Sequence, residues 1–255
     1  MIYFVQRILK NVNLQKYIGN IIRNFVILKL RRESTYMFNF RNHQELSCVA
    51  EGDGHFFAKV GAMVAYKGSF TQEKVLVDTN NNQSIFKSVM NLAARKLTGE
   101  NVPIMKVKGN GSYYMANKAQ HISIITLQQG QSIGVEGENL LAFTQECKYG
   151  VRFMGSGVIS QKGMFTSNLT ATGNNAQVVI TTNGNPIILE SPCVVDPDAV
   201  VCWTGADPHF KADVNWKTFL GQTSGESYML EFNSQGETVI IQPCERESGL
   251  NVAID

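Results

Sequence analysis

The residues of this chain best suited to chemistry are four histidines (His43, His55, His121, His209), five cysteines (Cys48, Cys147, Cys193, Cys202, Cys244) and the acid pair Asp196 and Asp198. A cupin-type metal centre needs a His-x-His pair, a Glu and a later His converging on one barrel mouth. No two of these histidines stand at i, i+2 or i, i+4, so their spacing points to structural roles. The cysteines are odd in number, widely spread and without a CxxC, which outlines neither a disulfide framework nor a zinc ribbon and fits a reducing compartment. A Cys, His and acid triad can be drawn on paper from Cys202, His209 and Asp207, with the thiolate as nucleophile. Cys202, however, takes the small-residue slot filled by Ala65 and Ala142 in two related runs, and so reads as core packing. Asp196-Pro197-Asp198 and Asp207-Pro208-His209 read as turns, because Pro presets φ and Asp bonds nearby backbone; acid–base chemistry or Ca²⁺ binding by Asp196 and Asp198 is the weaker reading. Gly109-Asn110-Gly111 resembles a phosphate-loop fragment, but the third glycine of GxGxxG and the GK[ST] of a P-loop are missing and a strand pattern follows. No catalytic, cofactor-binding or metal-binding residue is therefore assigned.

The elements that would position these residues are mostly strands. From Met37 onward the chain alternates short β-branched or aromatic runs with Gly and Asn punctuation. A strand, glycine turn, strand pattern recurs as LSCVAEGDGHFFAK around Gly52, IMKVKGNGSYYMA around Gly109, NLTATGNNAQVVIT around Gly173 and MLEFNSQGETVIIQ around Ser234. A second pattern, two large apolar residues, then Ala or Cys, then an aromatic, follows the first three: Met63 to Tyr66, Leu140 to Phe143 and Val200 to Trp203. Acidic turn-forming stretches, VEGEN and VDPDA, precede the last two. Two elements recurring in one order predict three β pseudo-repeats of about 60 residues, with the glycines at hairpin tips. One interruption is helical: SIFKSVMNLAARKLTGE predicts a short helix near residues 84–98, with Ser84 as N-cap, Gly99 as stop, and Arg95 and Lys96 on a solvated face. Trp203 and Trp216 are expected as core or interface aromatics.

Length and charge bound the alternatives. The 255 residues are 44% hydrophobic and 17% charged, with 22 Gly and 6 Pro, a globular composition able to bury a sizeable core. A formal net charge of +2 indicates no polyanionic partner. The charge is unevenly placed: residues 1–36 carry seven bases, Arg7, Lys10, Lys16, Arg23, Lys29, Arg31 and Arg32, against the single acid Glu33. The rest is therefore net acidic. Leu14, Ile18, Ile21, Phe25 and Leu28 fall on one helical stripe, so this extension reads as a basic amphipathic helix, for a membrane surface or a transit peptide. The reading preferred here is a start-site artefact: Arg31-Arg32-Glu33 can be encoded by a purine run resembling a ribosome-binding site, three codons ahead of Met37. The expected organisation is an extension over 1–36, a β-repeat domain over 37–246 and a tail over 247–255.

Five segments carry a resemblance. FFAKVGAMVAYKGSF, RKLTGE, ESPCVVDPDAVVCWTG, DVNWKTFLGQTSGESYMLEF and VIIQP occur in the order seen in the bacterial branch of the altered-inheritance-of-mitochondria family, over residues 37–246. The resemblance implies a mainly β fold of stacked sandwich units like those of the tryptophan RNA-binding attenuator protein, a homotrimer, and no known catalysis. Its mitochondrial members are associated with inner-membrane organisation.

The expectation is a cytoplasmic, non-enzymatic homo-oligomer acting as a scaffold or interaction module toward a protein partner not named by the sequence. RNA or nucleotide binding is the alternative, for which Lys106, Lys108 and Lys118 are the available basic cluster, although such alternation more often marks a solvated face or guarded edge. Membrane organisation is the third reading and depends on residues 1–36.

Overall fold

The computed structural model describes residues 37–75, 103–154, 164–212 and 228–246. The helix expected near 84–98, the extension over 1–36, the tail over 247–255 and Trp216 lie outside the described residues. Among those described, the chain is mainly β. The strands are β1 (Asn39–Asn42), β2 (Cys48–Lys59), β3 (Met63–Val75), β4 (Ile104–Met115), β5 (His121–Leu127), β6 (Ser132–Glu136), β7 (Leu140–Thr144) and β8 (Cys147–Met154). They continue with β9 (Met164–Ala171), β10 (Ala176–Thr182), β11 (Ile187–Glu190), β12 (Cys193–Val195), β13 (Val200–Thr204), β14 (His209–Ala212), β15 (Tyr228–Phe232) and β16 (Thr238–Ile241).

These strands build three antiparallel sheets. The first runs β3-β4-β2-β7-β10-β5, with β1 also on β2; the second runs β11-β16-β13-β6-β9-β8; the third is β12-β15-β14. The order of travel between sheets is regular. From β5 to β10 the chain visits first, second, first, second, second, first; from β11 to β16 it visits second, third, second, third, third, second. The pairings correspond strand for strand: β5 with β10, β10 with β7, β6 with β9 and β8 with β9 answer to β11 with β16, β16 with β13, β12 with β15 and β14 with β15.

Burial explains why some strands read as continuous apolar runs and not as alternation. In β7, Leu141 and Ala142 join the core that holds Phe56 and Tyr113, while Leu140 and Phe143 join the core that holds Val135 and Val201. In β13, Val201 and Cys202 enter that second core, and Val200 and Trp203 enter a third with Leu230 and Phe232. A strand covered on both faces has no solvent side and needs no polar residues, so LLAF and VVCW are buried throughout. The related run Met63 to Tyr66 is different: it lies on β3, at the edge of the first sheet, and is exposed at every position.

The glycine turns expected at the hairpin tips take other places. Gly52 and Gly109 sit inside β2 and β4, which pair without interruption from Cys48 opposite Met115 to Lys59 opposite Ile104. Gly52 faces Gly111 on one side of β4 and Gly68 faces Gly111 on the other, so a line of glycines crosses β2, β4 and β3. At Gly68 and Gly111 φ is +128° and +123°, which only glycine adopts freely, and an added Cβ would stand 2.1 Å from the carbonyl oxygen of Asn110 or Lys67 respectively. A line of glycines across neighbouring strands is the arrangement that permits a shared bend in mid-sheet, the use glycine has where a sheet turns a corner. The other two turns, around Gly173 and Ser234, join strands in different sheets, β9 to β10 and β15 to β16. Positive φ falls there on Asn175 and Gly236.

Candidate functional site

The groups singled out for chemistry are mostly engaged in packing or in their own turns. Cys202 is fully buried on β13, and burial pushes its thiol well above the nucleophilic range. His209 is exposed on β14 in another sheet, opposite Glu231, so no triad forms with Cys202. Asp196 accepts the Asp198 N–H at 2.7 Å, the self-closed turn that an Asp-Pro-Asp sequence favours. His55 lies in β2, its pKa lowered by burial and by the charge of Lys106. Lys106 and Lys108 lie on β4 opposite Phe57 and His55, and Lys118 lies in the turn between β4 and β5. His43 meets the Tyr114 ring edge-on at 5.3 Å, and His121 opens β5, half-buried. Among the described residues no group of three or more His, Cys, Asp and Glu could hold a metal ion.

The distinctive chemistry lies where one set of strands meets the next. At the end of β2, the Lys59 ammonium donates to the Glu138 carbonyl at 2.9 Å, in the acidic stretch that leads into β7. Partial burial lowers the pKa of Lys59. At the end of β6, Glu136 does the corresponding work through Arg246. The guanidinium donates to Glu136 Oε2 at 3.2 Å, and across the junction to the Pro197 carbonyl at 3.1 Å and to the Val200 carbonyl at the start of β13. The Arg246 N–H bonds the Asp198 carbonyl at 3.0 Å. Burial raises the Glu136 carboxyl to about 7, outweighing the pull of Arg246 in the other direction. Beside it, buried Asn139 donates to the Thr181 carbonyl at 2.7 Å and to Gln242 Oε1 at 3.4 Å. In the sequence VEGEN, which contains Glu136, and VDPDA form a recurring pair, whereas nothing there marks Lys59 and Arg246 as the groups that hold them.

The same junctions are made by strand pairing. β2 pairs with β7 through Phe56 opposite Thr144, Phe57 opposite Phe143 and Ala58 opposite Ala142. β6 pairs with β13 through Ile133 opposite Thr204, Gly134 opposite Trp203 and Val135 opposite Cys202. In each pairing an aromatic is seated on its partner strand: Phe143 stacks on Phe57 at 5.0 Å, and Trp203 lies so close over Gly134 that an added Cβ would meet its ring at 2.7 Å. Among the described residues the three sheets end on six strands, β3, β5, β11, β8, β12 and β14, and two of these correspond to the strands that make the junctions. One is β12, the other β3. On them Val194 is 47% exposed, Val64 59% and Tyr66 50%.

With this architecture in hand, comparison with known proteins is decisive. Residues 38–244 match the family model described as mitochondrial biogenesis AIM24. The chain belongs to the AIM24 family. Among solved structures, a protein of Streptococcus pyogenes determined by X-ray crystallography, SPYM3_0169, is similar to this AIM24-family chain with a TM-score of 0.59 and 18% identity. The match covers 82% of this chain and 93% of the streptococcal one, a likeness of fold. A comparison with curated proteins finds no match. Among the described residues, no helix is long and apolar enough to cross a membrane.

Proposed function

We propose that this AIM24-family protein is a non-enzymatic, cytoplasmic scaffold that works as a homo-oligomer, three chains being the number the family resemblance implies. We infer further that it is built from three units of one plan, like the sandwich of the tryptophan RNA-binding attenuator protein. Strands β5 to β10 form the second unit and β11 to β16 the third. In the first unit the strands are fused in pairs, each glycine-bent strand, β2, β3 and β4, standing for two.

The observation that carries this reading is the sharing of sheets. Of the seven strands of the first sheet, β1, β2, β3 and β4 come from one set and β7, β10 and β5 from the next; half of the second sheet comes from β6, β9 and β8 and half from β13, β16 and β11. Each such sheet is completed by strands of the next unit, and among the described residues the third sheet has three strands where the second has six. Unpaired strand edges promote association with another chain, and a symmetric oligomer is the ordinary way to cover them. Burying exposed side chains such as Val64 and Tyr66 contributes about 1.5–3 kcal/mol for each large apolar group fully covered. The reactive groups do not compete with this reading, since Cys202 is packed in the core and Asp196 is tied into its turn.

Native mass spectrometry of protein expressed from Met37 tests the proposal. A trimer with no retained mass is the expected result. A monomer at every concentration overturns the oligomer, and an oligomer carrying an oligonucleotide moves the function to nucleic-acid binding.

A further inference from the structure

The geometry points to one interface between copies: the β3 edge at Met63–Tyr66 of one chain pairs antiparallel with the β12 edge of a second copy. This inference rests on the oligomeric reading above and names the surfaces that reading would use.

The argument comes from the two junctions already present within the chain. Each places a strand that leads into an acidic or turn-forming crossing, β2 or β6, beside the strand that follows the next crossing, β7 or β13. β12 is the third strand of the first kind. It pairs with β15 as β6 pairs with β9, and VDPDA after it answers to VEGEN after β6. Among the described residues it has no partner of the second kind. Met63 to Tyr66 has the sequence pattern of that second kind, since Met63-Val64-Ala65-Tyr66 aligns with Leu140-Leu141-Ala142-Phe143 and Val200-Val201-Cys202-Trp203. It pairs with β4 on one side and with nothing described on the other. Among the described residues the chain thus carries one unfilled edge of each kind, and the edges are complementary.

Burial supports the same pairing. LLAF and VVCW are continuous apolar runs because both of their faces are covered, and each is buried throughout. MVAY is as apolar, yet Met63 is 38% exposed and Val64 59%. A run written for two-sided burial that stands at an open edge calls for a strand to cover it.

The two internal junctions also fix the register. Ala58 faces Ala142 and Val135 faces Cys202, so Val195 would face Ala65. Phe57 faces Phe143 and Gly134 faces Trp203, so Val194 would face Tyr66 and give that exposed ring the seat its two counterparts have. Phe56 faces Thr144 and Ile133 faces Thr204, so Cys193 would face Lys67. A second copy is the occupant that the observations favour, because both edges are present on every chain and each has the sequence pattern that the other lacks.

The native thiol of Cys193 provides the test. Lys67→Cys is made in a Cys244→Ser background, so that Cys193 is the partly exposed native thiol at the edge, and the full chain is mildly oxidised. The expected product is a ladder of disulfide-linked dimers and trimers on a non-reducing gel, abolished by Cys193→Ser. Thr71→Cys, farther along β3 and out of register, should give none. A link confined to single chains overturns the second copy as occupant. Native mass spectrometry of the unoxidised variants separates the remaining cases. A trimer that never links at position 67 overturns this pairing and leaves the oligomer standing; a monomer overturns both.

Discussion

Gly111 and Gly68 face each other across β4 and β3, and the Cα of Gly68 lies 3.0 Å from where a Cβ on Gly111 would be. The Lys67 carbonyl is closer still, at 2.1 Å from that position. Gly111→Ala must therefore displace backbone as well as hold Ala at a φ of +123°. Strained backbone of this kind costs about 1–3 kcal/mol by itself. Gly61→Ala serves as the comparison, with φ +87° and nothing within 4 Å of its Cβ position. Urea unfolding should show Gly111→Ala losing well over twice what Gly61→Ala loses; equal losses would remove the case for a sterically required glycine line.

Trp203 offers a spectroscopic readout of the β6–β13 junction. Gly134→Ala would push a methyl into the indole, which is buried and has little room to retreat. In a Trp216→Phe background, the emission of Trp203 should shift to longer wavelength. Overpacking of this type costs about 1–3 kcal/mol. An unchanged spectrum and unchanged stability would show that the ring is not seated on Gly134.

Glu136 makes stability depend on pH near neutrality. Its carboxyl lies at about 7 in the folded chain, above the ordinary value of about 4.3 in an unfolded one. Between these values the folded chain holds a proton that the unfolded chain has released. Stability from this group is therefore full below the unfolded value, falls as pH rises toward 7 by at most about 1.4 kcal/mol per unit, and is level above it. Urea midpoints measured from pH 5 to pH 8 should fall less in Glu136→Gln than in the parent chain. Parallel profiles would mean that Glu136 does not titrate in this window.

Thiol reactivity should divide by burial. Cys48 and Cys147 are buried, with thiols pushed up to about 12 and about 11, and Cys202 is pushed up further. Cys244 is exposed. Iodoacetamide followed by peptide mass spectrometry should modify Cys244 in the native protein and the three buried thiols only after denaturation. Early labelling of Cys202 would reopen the question of a nucleophile.

Much of this fold was legible in the sequence, and the errors have one source. The β class, the acidic crossings and the kinship of LLAF with VVCW are local properties, set by residue type and spacing. The placement of Gly52 and Gly109 is not, because a glycine between two β-forming runs looks the same whether the chain folds back or continues through a bend. What decides is the partner strand, and β4 runs alongside β2 for its full length. The exposure of Val64 could not be read for the same reason: MVAY carries the pattern of a covered strand, and cover is supplied from elsewhere. The clamp on Glu136 comes from Arg246, 110 positions away in a segment without regular structure. No short-range periodicity could have announced it. On chemistry the sequence was informative in a different way, since the Asp196 turn and the buried slot of Cys202 were both readable from neighbours in the chain.

The sharing of sheets between successive sets of strands also sets an order in time. As the chain leaves the ribosome, β2 stands uncovered on one side until β7 is made, and β6 waits in turn for β13. β2 and β6 are thus each finished by what is synthesised after them, and among strands of that kind the unmet edge moves toward the C-terminus as translation proceeds. Among the described strands that debt has reached β12, whose second edge none of them meets.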